Sequence, residues 1–181
     1  MNSVRRTVSA QIALIIAAWW LGVSAQGPSP PPAVKPFVGT WVLSIAKSTY
    51  DGVQSKRQST RTLDTYGEDT IVATHRRTNE DGDEGFSYWV GSLSGREFPE
   101  YARQRGNTPG NMVSIRPVSP HEWDVTFRNQ KGQIVLSDRW TVSPDGKTLT
   151  IARQGTRPDG RPTRSVEVYE NDGFALPGTS R

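Results

Sequence analysis

A chain of 181 residues with a formal charge of +4, 17 glycines, 13 prolines and no cysteine has the length of one domain. Lacking cysteine, it carries no disulfide, no thiolate ligand and no lipid-modified cysteine, so its fold must rest on buried surface alone. Arg5 and Arg6 are the only charges in the first 25 residues, so the remainder carries 20 basic against 18 acidic residues, a net of +2, too near neutral for a surface built to hold nucleic acid.

The N-terminal segment reads as a secretory signal. Arg5 and Arg6 precede an apolar run from Ile12 to Val23, and Val23-Ser24-Ala25 supplies small residues at a cleavage site. The run is about 12 residues, short of the roughly 20 that a spanning helix needs. Cleavage after Ala25 is expected, with a secreted or periplasmic location and no stable membrane span afterwards. Residues 26–36, rich in proline, read as an extended tether.

From Phe37 onward no helical stripe of apolar residues appears. Period-2 alternation recurs instead, broken every eight to twelve residues by Gly, Pro, Asn and Asp. Strands are expected at 39–46, 57–65, 70–77, 85–91, 96–98, 111–117, 122–129, 133–142, 147–154 and 164–170. The stretch 101–110 reads as irregular. Ser143-Pro144-Asp145-Gly146 and Arg157-Pro158-Asp159-Gly160 are hairpin signals. Residues 171–181 show no pattern and read as a flexible tail.

Parity separates the faces of these strands. Trp123, Val125 and Phe127 share one face, with Glu122, Asp124, Thr126 and Arg128 on the other. Ile134, Leu136, Trp140 and Val142 share a face on which Asp138 is the polar intruder. Leu149 pairs in parity with Ile151, and Val166 with Val168. One apolar and one polar face per strand, with short connections throughout, predicts an all-β fold: an up-and-down antiparallel barrel of eight to ten strands over residues 37–170. Closure is favoured over a sandwich because it removes exposed edges.

Phe37-x-Gly39-x-Trp41 at the start of the first strand resembles the Gly-x-Trp signature of lipocalins and the wider calycin superfamily. Together with Ala46-Lys47-Ser48, Asp145-Gly146-Lys147-Thr148-Leu149-Thr150, Gly155-Thr156 with Gly160-Arg161-Pro162, and Val166-x-Val168-Tyr169, it makes residues 37–169 similar to functionally uncharacterised exported bacterial lipocalin-like proteins. The resemblance implies a barrel with an internal cavity, a Trp that closes its base, and a basic side chain from a late strand packed on that Trp. It implies no established activity. Gly39 suits a sharp entry into a twisted strand, and Trp41 suits a plug whose face takes a cation. Arg139 lies at the right pole for that cation but has the wrong parity. Arg153 and Arg164 have inward parity but lie at the other pole, and the sequence leaves the choice open. Counting up and down from Trp41 puts the longer loops, 47–56, 79–84, 101–110 and 156–163, at the opposite pole.

No pattern for catalysis or metal binding survives inspection. An EF-hand register on Gly82 fails at Arg77 and Tyr88, so 79–84 reads as a solvated hairpin tip. Gly91-Ser92-Leu93-Ser94-Gly95 has Leu where a nucleophile would stand. His75 and His121 are the only histidines and have no cysteine to join, so no zinc site is expected. Tyr88, Trp123, Phe127 and Trp140 are the candidate ligand-lining residues, although of Tyr88 and Trp89 at most one points inward. The expected function is therefore an exported barrel holding a small, largely apolar molecule, with no catalytic residue, metal or cofactor, and with oligomeric state open. The alternative is a solid-cored envelope or extracellular interaction module that takes no small molecule.

Overall fold

The computed structural model describes residues 34–103, 109–157 and 159–173. The expected signal segment 1–25, most of the tether and residues 174–181 lie outside the described residues. Eleven strands make one sheet: β1 (Gly39–Leu43), β2 (Thr49–Asp51), β3 (Lys56–Thr65), β4 (Thr70–Asn79), β5 (Glu84–Ser92), β6 (Phe98–Arg103), β7 (Pro109–Ser119), β8 (Glu122–Arg128), β9 (Ile134–Val142), β10 (Thr148–Thr156) and β11 (Pro162–Asn171). Neighbours along the sheet pair antiparallel from β3 through to β11, and β1 pairs with both β3 and β11. The sheet thus closes through β1 into a lipocalin-like barrel, while β2 pairs with β11 alone. β1 and β2 occupy one position beside β11, so the barrel has ten staves.

The break between β1 and β2 has a local cause. Ile45–Lys47 forms a 3-10 turn, and β11 faces that gap with satisfied backbone. The Ser44 amide donates to the Val168 carbonyl at 2.8 Å, and the Val168 amide donates to Ser48 Oγ at 3.0 Å. Ser48 Oγ in turn donates to the Ser44 carbonyl at 2.8 Å. A hydroxyl stands in for a strand where the strand is interrupted.

One end of the barrel is filled. Phe37, Trp41 and Trp123 have no solvent exposure, and the rings of Phe37 and Trp123 stack with centroids 3.6 Å apart. Trp41 Nε1 donates to the Phe37 carbonyl at 2.8 Å, which meets the usual need of a buried indole. Gly39 enters β1 at φ 145°, a conformation costly for any residue with a Cβ. Leu63, Ile71, Val142 and Leu149 complete this plug. The fold therefore starts before Phe37: Val34 is buried, and Lys35–Phe37 is a 3-10 turn rather than extended chain.

Three further local readings change. β6 continues to Arg103, through residues read as irregular, because Tyr88 pairs with Tyr101 across β5 and β6. β2 is too short and too polar to announce itself by alternation. On β11 the faces are the reverse of those expected: Val166 is 39% exposed, whereas Ser165, Glu167 and Tyr169 point inward and are buried. The inward row of that strand carries charge, so hydrophobicity alone picks the wrong face.

Candidate functional site

Away from the Trp41 plug, the barrel encloses a cavity of about 440 Å³. Its wall includes Trp89, Phe127 and Leu136 as apolar members, and Lys56, Arg61, His75, Arg77, Arg153, Glu100 and Glu167 as ionisable ones. Val53, Gln54 and Asn79 place it toward the loop end opposite Trp41. Strand alternation assembles this wall. Lys56, Ser59 and Arg61 follow inward from Leu63 on β3, His75 follows Ala73 on β4, and Ser165 and Glu167 precede Tyr169 on β11.

Glu167 is the hub of the polar wall. It is 1% exposed and accepts a hydrogen bond from Lys56 Nζ. Tyr169 Oη donates to its other oxygen at 2.7 Å, and Arg61 Nη2 lies 3.7 Å from that same oxygen. Burial alone would raise its pKa, but Lys56, Arg153 and Arg61 outweigh burial and hold the carboxyl well below the usual range. Burial pushes the Lys56 ammonium down to about 7 against the pull of Glu167, with Arg153 and Arg61 adding repulsion. The two partners thus shift unequally. We take Glu167 as ionised, because three cations serve one anion.

The neighbouring groups follow the same logic. Asp138, the intruder on β9, is 3% exposed and receives Arg153 through two hydrogen bonds of 2.8 and 2.6 Å. That fork is the usual Arg–carboxylate geometry. His75 Nε2 lies 2.8 Å from Ser59 Oγ, and burial together with Arg61, Lys56, Arg153 and Arg77 lowers the pKa of the imidazole well below 6.5. His75 is therefore neutral near pH 7. Burial, then Arg153 and Arg61, also lowers the pKa of Arg77.

Arg61 differs from its neighbours. Its guanidinium sits 5.3 Å from the ring centroids of both Trp140 and Tyr169, yet neither Nε nor Nη2 has a hydrogen-bond acceptor. Ser165 Oγ, on the same cavity wall, also has none. Each buried donor left unmet costs about 1–3 kcal/mol, so three on one wall are conspicuous.

The predicted site residues separate. Phe127 lines the cavity. Trp140 is fully buried beside it, edge-on to Trp89 at 5.9 Å. Trp123 belongs to the plug, stacked on Phe37. Tyr88 is a correction: it is 41% exposed and stacks on Tyr101 at 4.9 Å on the outer face, because its neighbour Trp89 takes the inward parity. Arg139 is a second correction: its parity points it outward, where it pairs with Glu122 and Asp124. Gly39 and Trp41 stand at the plug. The residue opposite Trp41 across the sheet is Arg61 of β3, an early strand rather than a late one. Sequence reasoning gave Arg153 its inward parity but missed Lys56, Arg61 and Glu167. Counting parity outward from Leu63 and Tyr169 would have found all but Lys56, whose register is displaced by an irregularity between Lys56 and Gln58.

No family model matches the chain, and no curated protein matches it. Among solved structures, a mutant of the fluorescent protein UnaG is similar over 78% of this chain and 99% of its own, at 14% identity and a TM-score of 0.51. A redesigned β-barrel covers 80% of this chain and 99% of its own, at 14% identity and a TM-score of 0.46. The barrel EF1p2_mFAP2b bound to DFHBI covers 77% and 97%, at 12% identity and a TM-score of 0.47. At such identities the likeness to UnaG speaks for the fold alone.

Proposed function

We propose that the chain is a small-molecule carrier whose occupant lies inside the barrel, at the end opposite Trp41. One observation carries this reading: side chains fill the barrel at the Trp41 end but leave about 440 Å³ open beyond it. That volume falls in the range of ordinary ligand sites. Trp89, Phe127 and Leu136 offer an apolar bed, and ionisable groups share the rest of the wall. A largely apolar body with one polar end suits such a wall better than a plain hydrocarbon, since a hydrocarbon would leave the polar groups desolvated without partners. UnaG lends a barrel precedent and nothing finer.

Export belongs to the same reading. Cleavage after Ala25 gives a secreted or periplasmic protein, and the N-terminal sequence of the purified mature chain tests it: a chain that retains residues 1–25 sinks that part. Titration of the carrier with naphthylethanol, followed by tryptophan emission and calorimetry, tests the cavity. Saturable binding is expected, and Leu136→Trp should abolish it by filling the space. Binding that Leu136→Trp leaves intact would place the ligand elsewhere and end the proposal.

A further inference from the structure

We propose that the cavity seats the carboxylate of an organic acid, with Arg61 and Ser165 as its anchors. The proposal rests on the carrier reading and names the chemical class of the occupant.

Two buried residues carry polar atoms without a hydrogen-bond partner. Arg61 is 3% exposed and Ser165 is 5% exposed. Arg61 Nε and Nη2 and Ser165 Oγ lack acceptors, and both residues line the one cavity. Several other polar groups of the wall are engaged. Lys56 and Tyr169 hold Glu167, Ser59 meets His75, Arg153 forks onto Asp138, and Asn111 Nδ2 donates to Glu100 at 2.9 Å. What these pairings leave buried and unmet is one edge of the Arg61 guanidinium and the Ser165 hydroxyl.

Charge points the same way. Lys56, Arg61, Arg77 and Arg153 face Glu100, Glu167 and Asp138 across the cavity and the wall behind it, and His75 is neutral. Three arginines and a Lys56 that is only partly protonated near pH 7 stand against three anions among the described residues, so the balance leans positive, and charge is felt more strongly inside a protein than in bulk water. A carboxylate brings one negative charge and about four lone-pair sites, and it donates nothing when ionised. It suits the two guanidinium nitrogens and the hydroxyl, whereas an alcohol supplies no charge and an ammonium adds to the excess. A phosphate monoester would bring nearly twice the charge that the wall can balance. The rings of Trp140 and Tyr169 hold the guanidinium in place, so little is lost in ordering it on binding. The apolar body of the acid would then lie on Trp89 and Phe127.

The test uses three probes of one shape: naphthylacetate, naphthylethanol and naphthylethylamine, titrated calorimetrically into the full mature chain near pH 7. The acid should bind about 10- to 100-fold more tightly than the alcohol, as expected of a charge-assisted contact made inside the barrel, and the amine should bind more weakly than either. Ser165→Ala, a small change, should weaken the acid several-fold and leave the alcohol unaltered. Arg61→Gln should remove the preference for the acid. If that variant fails to fold, the three wild-type titrations and Ser165→Ala still decide. An acid that binds no better than the alcohol overturns the anchor but not the carrier. A preference that survives both substitutions also overturns it. If neither acid nor alcohol binds, the carrier reading falls with it.

Discussion

Replacing Glu167 by Gln tests the idea that one carboxylate holds the polar interior together. The change keeps size and one acceptor oxygen but removes the anion shared by Lys56, Arg61 and Arg153. Glu167 is 1% exposed and contacts Lys56, Tyr169 and Arg61. Removing one partner of a buried pair costs about 3–5 kcal/mol. At about 2–4 °C per kcal/mol for a domain of this size, the melting temperature should drop by about 6–20 °C. Geometry also dictates an order. Loss of Glu167 strands three cations, whereas Lys56→Met leaves Glu167 with Arg61 beside it and Tyr169 as donor. Urea denaturation of both variants should therefore find Glu167→Gln the less stable. The double variant Lys56→Met, Glu167→Gln should cost less than the two single losses added, since removing Lys56 removes one of the cations that loss of Glu167 strands. Lys56→Met proving as harmful as Glu167→Gln, or the losses of the two adding in full, would refute the shared-anion account.

Three other outcomes follow from the same geometry. Trp41→Ala should lose about 3–5 kcal/mol through the hole left in the plug, while Arg139→Ala, an outward residue, should barely move the melting temperature; equal losses would reinstate Arg139 as the cation on Trp41. Phe127→Ala should weaken naphthylethanol binding, and Tyr88→Ala should not, because Tyr88 stacks on Tyr101 outside the barrel; calorimetry with both variants separates the two. His75 should make stability fall as pH drops below about 6.5, because the unfolded chain then binds a proton that the folded one refuses; His75→Gln should flatten that slope in denaturation curves at pH 5 and 7, and an unchanged slope would move its cause to another group.

The barrel itself was legible because most strands obey one rule. Trp123, Val125 and Phe127 alternate inward along β8 as expected, as do Leu149 and Ile151 on β10. The rule reads hydrophobicity, and the site escapes it for that reason. On β11 the buried row is Ser165, Glu167 and Tyr169, while Val166 faces outward. On β3 the buried row beyond Leu63 is Arg61 and Ser59. A polar interior inverts the signal that locates an interior. Parity survives the inversion, and Asp138 was its one visible trace: a carboxylate among Leu136, Trp140 and Val142 requires a buried cation, which is Arg153. The interruption between β1 and β2 lay beyond sequence reading, because it depends on a hydroxyl of Ser48 meeting a backbone amide 120 residues away.

The plug also fixes how the molecule can be held. Val34 is buried beside Phe37, and Asn171 pairs with Trp41 while its amide donates to the Lys147 carbonyl. Both places where the described chain continues into its outer segments therefore lie at the filled end. A tether, a surface or a fused partner attached through either terminus meets the barrel at its base. The loops around Val53 and Asn79 then face away from the attachment, as the rim of a cup faces away from its stem. Immobilisation by either terminus should leave access to the cavity unobstructed.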